Sequence, residues 1–259
     1  MTDPRTTEYE RKKDRERAYY EDRRRDGIVA RVLHSRAFFD VPRIESNYAF
    51  AKREMARFVS GKLGGKKAGR LLLAPCGGGG DVEFLGTFAE EIHGIDLSPV
   101  AVARCPPSIK VKVGDILDSG YAGESFDLVA STLFFHHLGK VGFDPFLEEF
   151  RRVMKKGGGI VILEPSLWYP LNLVTRPLKK LFGNPFGEVE DEGPFSPHLL
   201  LRALRRTGFV NVTMRPASFS HCAFYTPVAK AVNRITRPWL GSPRMAYLSW
   251  MALFWAEKG

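Results

Sequence analysis

The chain has 259 residues, of which 44% are hydrophobic and 26% charged, the balance of a globular protein rather than of a disordered chain. The densely charged beginning predicts no secretory signal, and the longest apolar stretch, residues 245–256, falls short of the ~20 residues that a bilayer span requires. The three cysteines, Cys76, Cys105 and Cys222, are far apart and odd in number, which excludes a disulfide framework and a cysteine-based zinc site. Free cysteines predict a cytoplasmic protein, and no metal site is expected.

The formal net charge of +10 is unevenly distributed. Acidic residues outnumber basic ones in residues 71–164, whereas basic residues prevail in 27–70 and in 165–259. This distribution suits a catalytic core within a basic surround that favours anionic partners, such as phosphorylated or carboxylated substrates, lipid headgroups or nucleic acid. A surface charge that serves only solubility gives the same distribution, so the composition leaves both interpretations open.

The amino-terminal region predicts two helices of different character. Residues 6–26 form a mixed-charge block, which favours a solvated helix held by charge pairs. Residues 47–60 place apolar side chains at helical spacing and predict an amphipathic helix, and the glycine- and lysine-rich residues 61–69 predict a linker. The chain therefore divides into a charged helical extension or lid, residues 1–64, and a main domain, residues 65–259.

From Arg70 onward, apolar runs that end in turns alternate with helical patterns. The first five predicted strands are residues 71–74, 92–96, 109–113, 126–131 and 159–165, and two further candidates are 210–214 and 245–255. Predicted helices cover residues 82–88, 146–156 with the two lysines in the last turn, and the segment from Ser196-Pro197 to Gly208. Strands separated by helices imply a parallel sheet that is covered on both faces.

A glycine-rich turn lies at the end of the first predicted strand. Residues 76–80 read Cys-Gly-Gly-Gly-Gly, and Asp96 ends the second strand 17 residues after Gly79. Glycines in such a turn let a ligand approach the backbone, and an acid at the next strand end can accept both hydroxyls of a ribose. The pattern predicts a nucleoside-binding turn without separating a dinucleotide from another nucleoside ligand.

Five motifs, in this order and spacing, resemble those of class I S-adenosylmethionine-dependent methyltransferases: LLLAPCGGGGD, GIDLS, VGDILD, FDLVASTLFFHHL and RRVMKKGGGIVILEP. The resemblance implies an α/β, Rossmann-like, seven-stranded, mostly parallel sheet with helices on both faces and an antiparallel last strand, preceded here by the helical extension. It implies S-adenosyl-L-methionine as the cofactor. The carboxyl-terminal part is similar to the branch that modifies small molecules, sugars and lipid-linked intermediates.

The resemblance also assigns cofactor contacts. It implies that Ala74, Cys76, Gly77 and Gly79 line the methionine part and that Asp96 binds the ribose. It also implies that Leu97, Asp115 and Ile116 contact the adenine and that Ser131, Thr132 and Leu133 lie beside the sulfonium. The helix around Tyr48 is expected to close the site as a lid, with Tyr48 or Arg53 reaching the cofactor carboxylate. The family usually has an acid two residues before the first glycine. The corresponding positions here are Leu73 and Pro75, and Asp81 is the candidate replacement.

Three residues are candidate proton acceptors. His136 and His137 follow the fourth strand, and Glu164 ends the fifth. The histidine pair also has a structural interpretation, in which one ring packs against the following helix. Tyr169 is a candidate for the acceptor pocket. The sequence STLFF stands where the family's methylases of nucleobase and glutamine amino groups carry Asn/Asp-Pro-Pro-aromatic, which argues against that chemistry.

These patterns predict a methyltransferase that modifies oxygen, with nitrogen and carbon as less favoured alternatives, on a small-molecule, sugar or lipid-linked acceptor. An RNA methyltransferase, suggested by the sequence pI of 9.6, and a non-catalytic cofactor-binding partner, suggested by the altered first motif, remain alternatives. No RNA-binding module is recognisable, which argues against nucleic acid. The basic insertion at about residues 222–244 contains Lys230, Arg234, Arg237 and Arg244. We expect it to face an anionic acceptor or a membrane. The acceptor's identity and the oligomeric state stay open.

Overall fold

The computed structural model describes residues 9–11, 13, 41–139, 141–172, 193–222 and 224–259. The strands are β1 (Ala68–Leu73), β2 (Ala89–Asp96), β3 (Lys110–Val113), β4 (Phe126–Thr132), β5 (Met154–Pro165), β6 (Phe209–Ser218) and β7 (Met251–Lys258). The α-helices are α1 (Val41–Leu63), α2 (Val82–Leu85), α3 (Pro99–Val102), α4 (Asp144–Val153), α5 (Pro197–Arg206) and α6 (Thr226–Ile235). Short 3-10 helices cover Gly86–Phe88, Ile116–Asp118, Phe135–His137, Arg237–Gly241 and Pro243–Leu248.

The strands form a single seven-stranded sheet in the order β3-β2-β1-β4-β5-β7-β6. β1 to β5 are mutually parallel, and β7 runs antiparallel to both β5 and β6. β6 therefore points in the same direction as β1 to β5, and the carboxyl ends of these six strands meet at one edge. The predicted Rossmann-like fold with an antiparallel last strand is confirmed.

Helices cover both faces of the sheet, which explains why the central strands are apolar on both sides. On one face, α4 and α5 bury Phe146, Phe150, Leu200 and Leu204 against the strands. On the other face, α1 lies over β5 and β6 and buries Ala51, Met55 and Val59 fully. Because α1 covers the sheet, we expect it to be needed for folding. The division of the chain at residue 64 itself stays a prediction.

Two predicted boundaries are wrong. The helix expected to run to Lys156 ends at Val153, because Met154 already pairs with Phe126 in the β4–β5 ladder and Lys155 Nζ donates to Asp127 Oδ1 at 2.8 Å. The last strand begins at Met251 rather than at residue 245.

Residues before that strand adopt a 3-10 helix that starts at Pro243. The hydroxyl of the buried Ser249 ends this helix by donating to the carbonyl of Ala246 at 2.8 Å. Among the described helices, none is long and apolar enough to cross a membrane.

Candidate cofactor and active site

A cavity of about 400 Å³ lies at the carboxyl edge of the sheet, beside the ends of β1, β2 and β4. Its volume is in the range of small-molecule sites. The lining residues come from the amino-terminal turn (residues 9–11 and 13), the glycine-rich turn, the strand ends, α3 and the segment after β4. They are Tyr9, Lys13, Pro75, Gly77, Gly78, Asp96, Leu97, Ser98, Val100, Ala101, Arg104, Ile116, Leu133, Phe134, His137 and Leu138.

Two glycines of the turn are required for different reasons. Gly77 has a φ of +51°, and a Cβ added to it meets nothing within 4 Å, so its missing side chain leaves room for a ligand. Gly79 has a φ of +77°, and its Cβ would lie 2.7 Å from both Ile109 Cδ1 and Pro106 Cδ. Gly77 therefore opens the cavity, whereas Gly79 lets the turn pack against the segment before β3.

Asp96 connects the end of β2 to the glycine-rich turn. Its Oδ2 accepts a hydrogen bond from Gly77 N at 2.8 Å, and its Oδ1 accepts one from Ser98 N at 2.9 Å. Each carboxylate oxygen has a further lone pair, so Asp96 can also accept hydrogen bonds from two ligand hydroxyls in the cavity. This is the geometry that ribose binding needs.

The amino-terminal turn, residues 9–11 and 13, covers the cavity near Asp115. Tyr9 Oη donates to Asp115 Oδ1 at 2.6 Å, and Lys13 Nζ donates to Asp115 Oδ2 at 2.8 Å. The Tyr9 ring is buried, with its centroid 5.3 Å from that of Phe146. Burial of Lys13 opposes its charged form, but the hydrogen bonds and charges of Asp115 and Glu10 together outweigh this effect and raise the pKa of Lys13.

Sequence reasoning missed this cover because it treated residues 6–26 as a solvated helix. Tyr9 is an aromatic residue in a block of charged side chains, but this alone does not indicate its contact with Asp115.

The segment after β4 carries local backbone strain beside the cavity. Leu133 has a φ of +54°, the left-handed region that a leucine rarely adopts. Its N–H donates to Leu163 O on β5 at 2.9 Å, and its side chain lines the cavity. Such strain at a strand end is common at functional sites.

Glu164 holds this segment in place from beneath. Its side chain is 1% exposed, and its Oε1 accepts hydrogen bonds from Phe134 N at 2.6 Å and Phe135 N at 2.7 Å. Its Oε2 lies 2.8 Å from His136 Nδ1. Both oxygens are thus occupied by the loop that they position, and Glu164 does not line the cavity.

The two histidines point to different surroundings. His136 is bound to Glu164, whereas His137 lines the cavity, and their ring centroids are 4.1 Å apart. Of the three predicted proton acceptors, the structure brings His137 alone to the described wall of the cavity. His136 and Glu164 instead form a buried support for it.

The structure does not bring the other predicted residues to this cavity. Asp81 is buried in a network with Lys52 Nζ at 2.7 Å and Thr132 Oγ1 at 2.5 Å, which joins α1, the turn and β4. It is therefore not positioned to replace the missing acid of the first motif.

Ala74, Cys76 and Ser131 are buried below the cavity, and burial raises the pKa of the Cys76 thiol, so it stays protonated at neutral pH. Tyr169 is also buried; it donates to Phe219 O at 3.0 Å, and burial raises its pKa to about 12.

The predicted lid residues lie elsewhere. Tyr48 packs on Trp250, with ring centroids 4.9 Å apart. Arg53 lines a second cavity of about 280 Å³ between α1 and α6. Tyr9 and Lys13 line the cavity instead, but beside Asp115 rather than at the cofactor carboxylate that Tyr48 or Arg53 was expected to reach.

Comparison with known proteins identifies the family of the domain that holds this site. Residues 72–162, which hold the glycine-rich turn, Asp96, Asp115 and the segment after β4, match the family model described as a methyltransferase domain. Residues 72–162 therefore form a class I S-adenosylmethionine-dependent methyltransferase domain. A comparison with curated proteins gives no match.

Solved structures share the fold of this methyltransferase at low sequence identity. A SAM-dependent methyltransferase from Thermotoga maritima is 15% identical, with a TM-score of 0.59 and coverage of 85% of this chain and 95% of that one. One from Archaeoglobus fulgidus is 19% identical, with a TM-score of 0.52 and coverage of 78% and 94%. Geranyl diphosphate C-methyltransferase from Streptomyces coelicolor A3(2), in complex with Mg²⁺, geranyl diphosphate and S-adenosylhomocysteine, is 18% identical, with a TM-score of 0.52 and coverage of 79% and 78%.

The cavity fits the cofactor S-adenosylmethionine. Open space beside Gly77 admits the ligand to the turn, and the free lone pairs of Asp96 suit the ribose. Leu97, Ile116 and Leu133 provide apolar walls. The assignment of individual contacts to the cofactor stays a prediction.

Proposed function

We propose that this methyltransferase methylates a hydroxyl oxygen of a small-molecule, sugar or lipid-linked acceptor, and that His137 removes the hydroxyl proton. The observation that carries the proposal is the position of His137 in the cavity wall. S-adenosylmethionine supplies the activated methyl group, so the protein must align the acceptor and take up a proton.

His137 is the group in the described wall best suited to accept that proton. Asp96 is committed to the glycine-rich turn, Lys13 is paired with Asp115, and the guanidinium of Arg104 acts only as a hydrogen-bond donor. A histidine titrates close to neutral pH and can bind and release a proton in turn. Glu164 and His136 fix the backbone that carries His137, which keeps the base in position.

The wall next to His137 supports a hydroxyl acceptor over an amino group of a nucleobase. Leu133, Phe134 and Leu138 offer no polar side-chain atom to hold such an amino group. The acceptors of proteins with this fold differ, as the geranyl diphosphate of the Streptomyces coelicolor enzyme illustrates. Its anionic, apolar acceptor is of a kind that the basic surround of this chain also suits.

The test combines labelled methyl donor, a host extract and mass spectrometry of the products. We expect an O-methylated small or lipid-linked product. His137→Ala should lower kcat by roughly 10²–10⁴-fold and have a much smaller effect on the Kd for S-adenosylhomocysteine. The exposed His198 provides the control, His198→Ala, which should retain full activity.

Three results would contradict the proposal. Label in an RNA fraction would favour the RNA methyltransferase, and binding of S-adenosylhomocysteine with no labelled product from any extract would favour a non-catalytic partner. Full activity of His137→Ala would remove the assigned base. The pH profile adds a second check, because wild-type activity should fall in acid as the base becomes protonated, whereas the residual activity of His137→Ala should not show that limb.

A further inference from the structure

The segment between β6 and β7, residues 219–250, emerges at the sheet edge that carries the cofactor cavity. β6 ends at Ser218 and β5 ends at Pro165, and both residues pair with Met251, the first residue of the antiparallel β7. The segment therefore begins and ends at the functional edge of the sheet.

The helix of this segment, α6, exposes apolar side chains. Its buried side carries Ala229 and Asn233. Val228, Ala231 and Ile235, spaced three and four residues apart, form an exposed stripe on another side of the helix, where Val228 is 49% and Ile235 69% exposed. The solvent side of a helix is normally polar, so this stripe indicates a partner.

Aromatic side chains continue the stripe at both ends of α6. Tyr225 precedes the helix and is 66% exposed, and Trp239 follows it in the next 3-10 helix and is 46% exposed. Amphipathic aromatic side chains of this kind are favoured at the boundary between lipid and water. We call Tyr225, Val228, Ala231, Ile235 and Trp239 the α6 surface.

Positive charge flanks the α6 surface. Lys230, Arg234 and Arg237 line the second cavity together with Arg53 and Arg57 of α1. Arg57 is paired with Glu54, whereas the other four make no ion pair with any residue that the structure describes. No Asp or Glu occurs in residues 193–256, so the sequence supplies no neighbouring acid from this part of the chain.

We propose that the α6 surface docks on an anionic lipid bilayer, with the apolar stripe entering the headgroup boundary and the basic residues contacting lipid phosphates. An apolar stripe beside a basic row is the pattern of helices that lie in the membrane interface. Exposed aliphatic side chains favour lipid over RNA, which is bound through stacking and hydrogen bonds rather than through valine and isoleucine. Docking would turn the cofactor edge of the sheet toward the membrane. The proposal does not depend on the acceptor or on the role of His137.

Sedimentation of the full chain with vesicles tests this surface. The probes are vesicles of phosphatidylcholine alone and of phosphatidylcholine with phosphatidylglycerol in equal parts. We expect binding to the anionic vesicles only, with a strong decrease at high salt.

Arg234→Gln with Arg237→Gln should weaken that binding about 25-fold, since each basic residue contributes about fivefold. Val228→Ser with Ile235→Ser should weaken it by roughly tenfold, because both side chains are already exposed and would lose only contact with lipid.

The matched control is Arg202→Gln with Arg205→Gln, which removes the same charge from exposed positions of α5, the helix on the other face of the sheet. It should change vesicle binding by less than about twofold. The proposal is overturned if wild-type protein does not bind anionic vesicles, or if the control loses binding as strongly as the α6 variant. It is also overturned if single-stranded RNA binding, measured in parallel, depends on Arg234 and Arg237 while vesicle binding does not. Unchanged affinity for S-adenosylhomocysteine shows that each variant is folded.

Discussion

The buried carboxylate of Glu164 provides the sharpest distinction between a positioning residue and a general base. Replacing it with alanine leaves Phe134 N, Phe135 N and the His136 ring without their present partner in a site that is 1% exposed. Each unsatisfied polar group costs about 1–3 kcal/mol, and partial entry of water relieves some of this. We therefore expect a loss of about 3–5 kcal/mol in the free energy of unfolding, and a Tm lower by roughly 10 °C.

Glutamine at the same position separates the two roles. In Glu164→Gln, one oxygen can still accept from Phe134 N and Phe135 N, and the amide group can donate to His136 in its other tautomer. We expect a loss of about 1–2 kcal/mol, a Tm lower by roughly 4 °C, and most of the activity retained.

The assay is thermal unfolding together with initial rates and S-adenosylhomocysteine titration of both variants. Loss of activity in Glu164→Gln without a change in Tm would refute the positioning role and restore Glu164 as a base. An unchanged Tm in Glu164→Ala would show that the hydrogen bonds do not hold the loop.

Three further predictions concern the cofactor cavity. Asp96→Asn should raise the Kd for S-adenosylhomocysteine by roughly 30- to 1000-fold, because it weakens charge-assisted hydrogen bonds that together contribute about 2–4 kcal/mol. A wild-type Kd in calorimetry would show that Asp96 does not bind the ribose. Gly77→Ala should stay folded and bind the ligand poorly, whereas Gly79→Ala should lower the Tm through contacts at 2.7 Å; equal Tm values for the two variants would contradict the separate roles. Tyr9→Phe with Lys13→Met should speed dissociation of S-adenosylhomocysteine by roughly tenfold or more, because two hydrogen bonds that close the cavity are lost. Stopped-flow measurements test this, and an unchanged dissociation rate would show that the amino-terminal turn does not cover the cavity.

The sheet and the glycine-rich turn could be predicted because their signals are local. Parallel strands buried on both faces appear as continuous apolar runs, as in residues 71–73, and the turn and Asp96 follow at fixed positions after strand ends. The confirmed fold, enzyme class and cofactor all rest on these local patterns. The boundaries near Met154 and Met251 could not be predicted in this way, since long-range pairing decides where those strands begin.

The functions of Tyr9 and Glu164 could not be predicted from local patterns. Tyr9 is 106 residues away from its partner Asp115, and no periodicity within residues 6–26 indicates that contact. A carboxylate at a strand end, such as Glu164, is equally consistent with a base or a structural acceptor, and only the positions of the surrounding N–H groups separate the two. The same holds for the two adjacent histidines, because sequence does not show which ring turns toward the cavity.

The central claim is that the cavity beside Gly77 and Asp96 holds S-adenosylmethionine. A crystal structure of the full chain with S-adenosylhomocysteine tests it most directly. We expect the ribose hydroxyls within hydrogen-bond distance of the Asp96 carboxylate, the adenine between Leu97 and Ile116, and the sulfur beside Leu133. Ligand density in another place, such as the second cavity lined by Arg53, would contradict the claim.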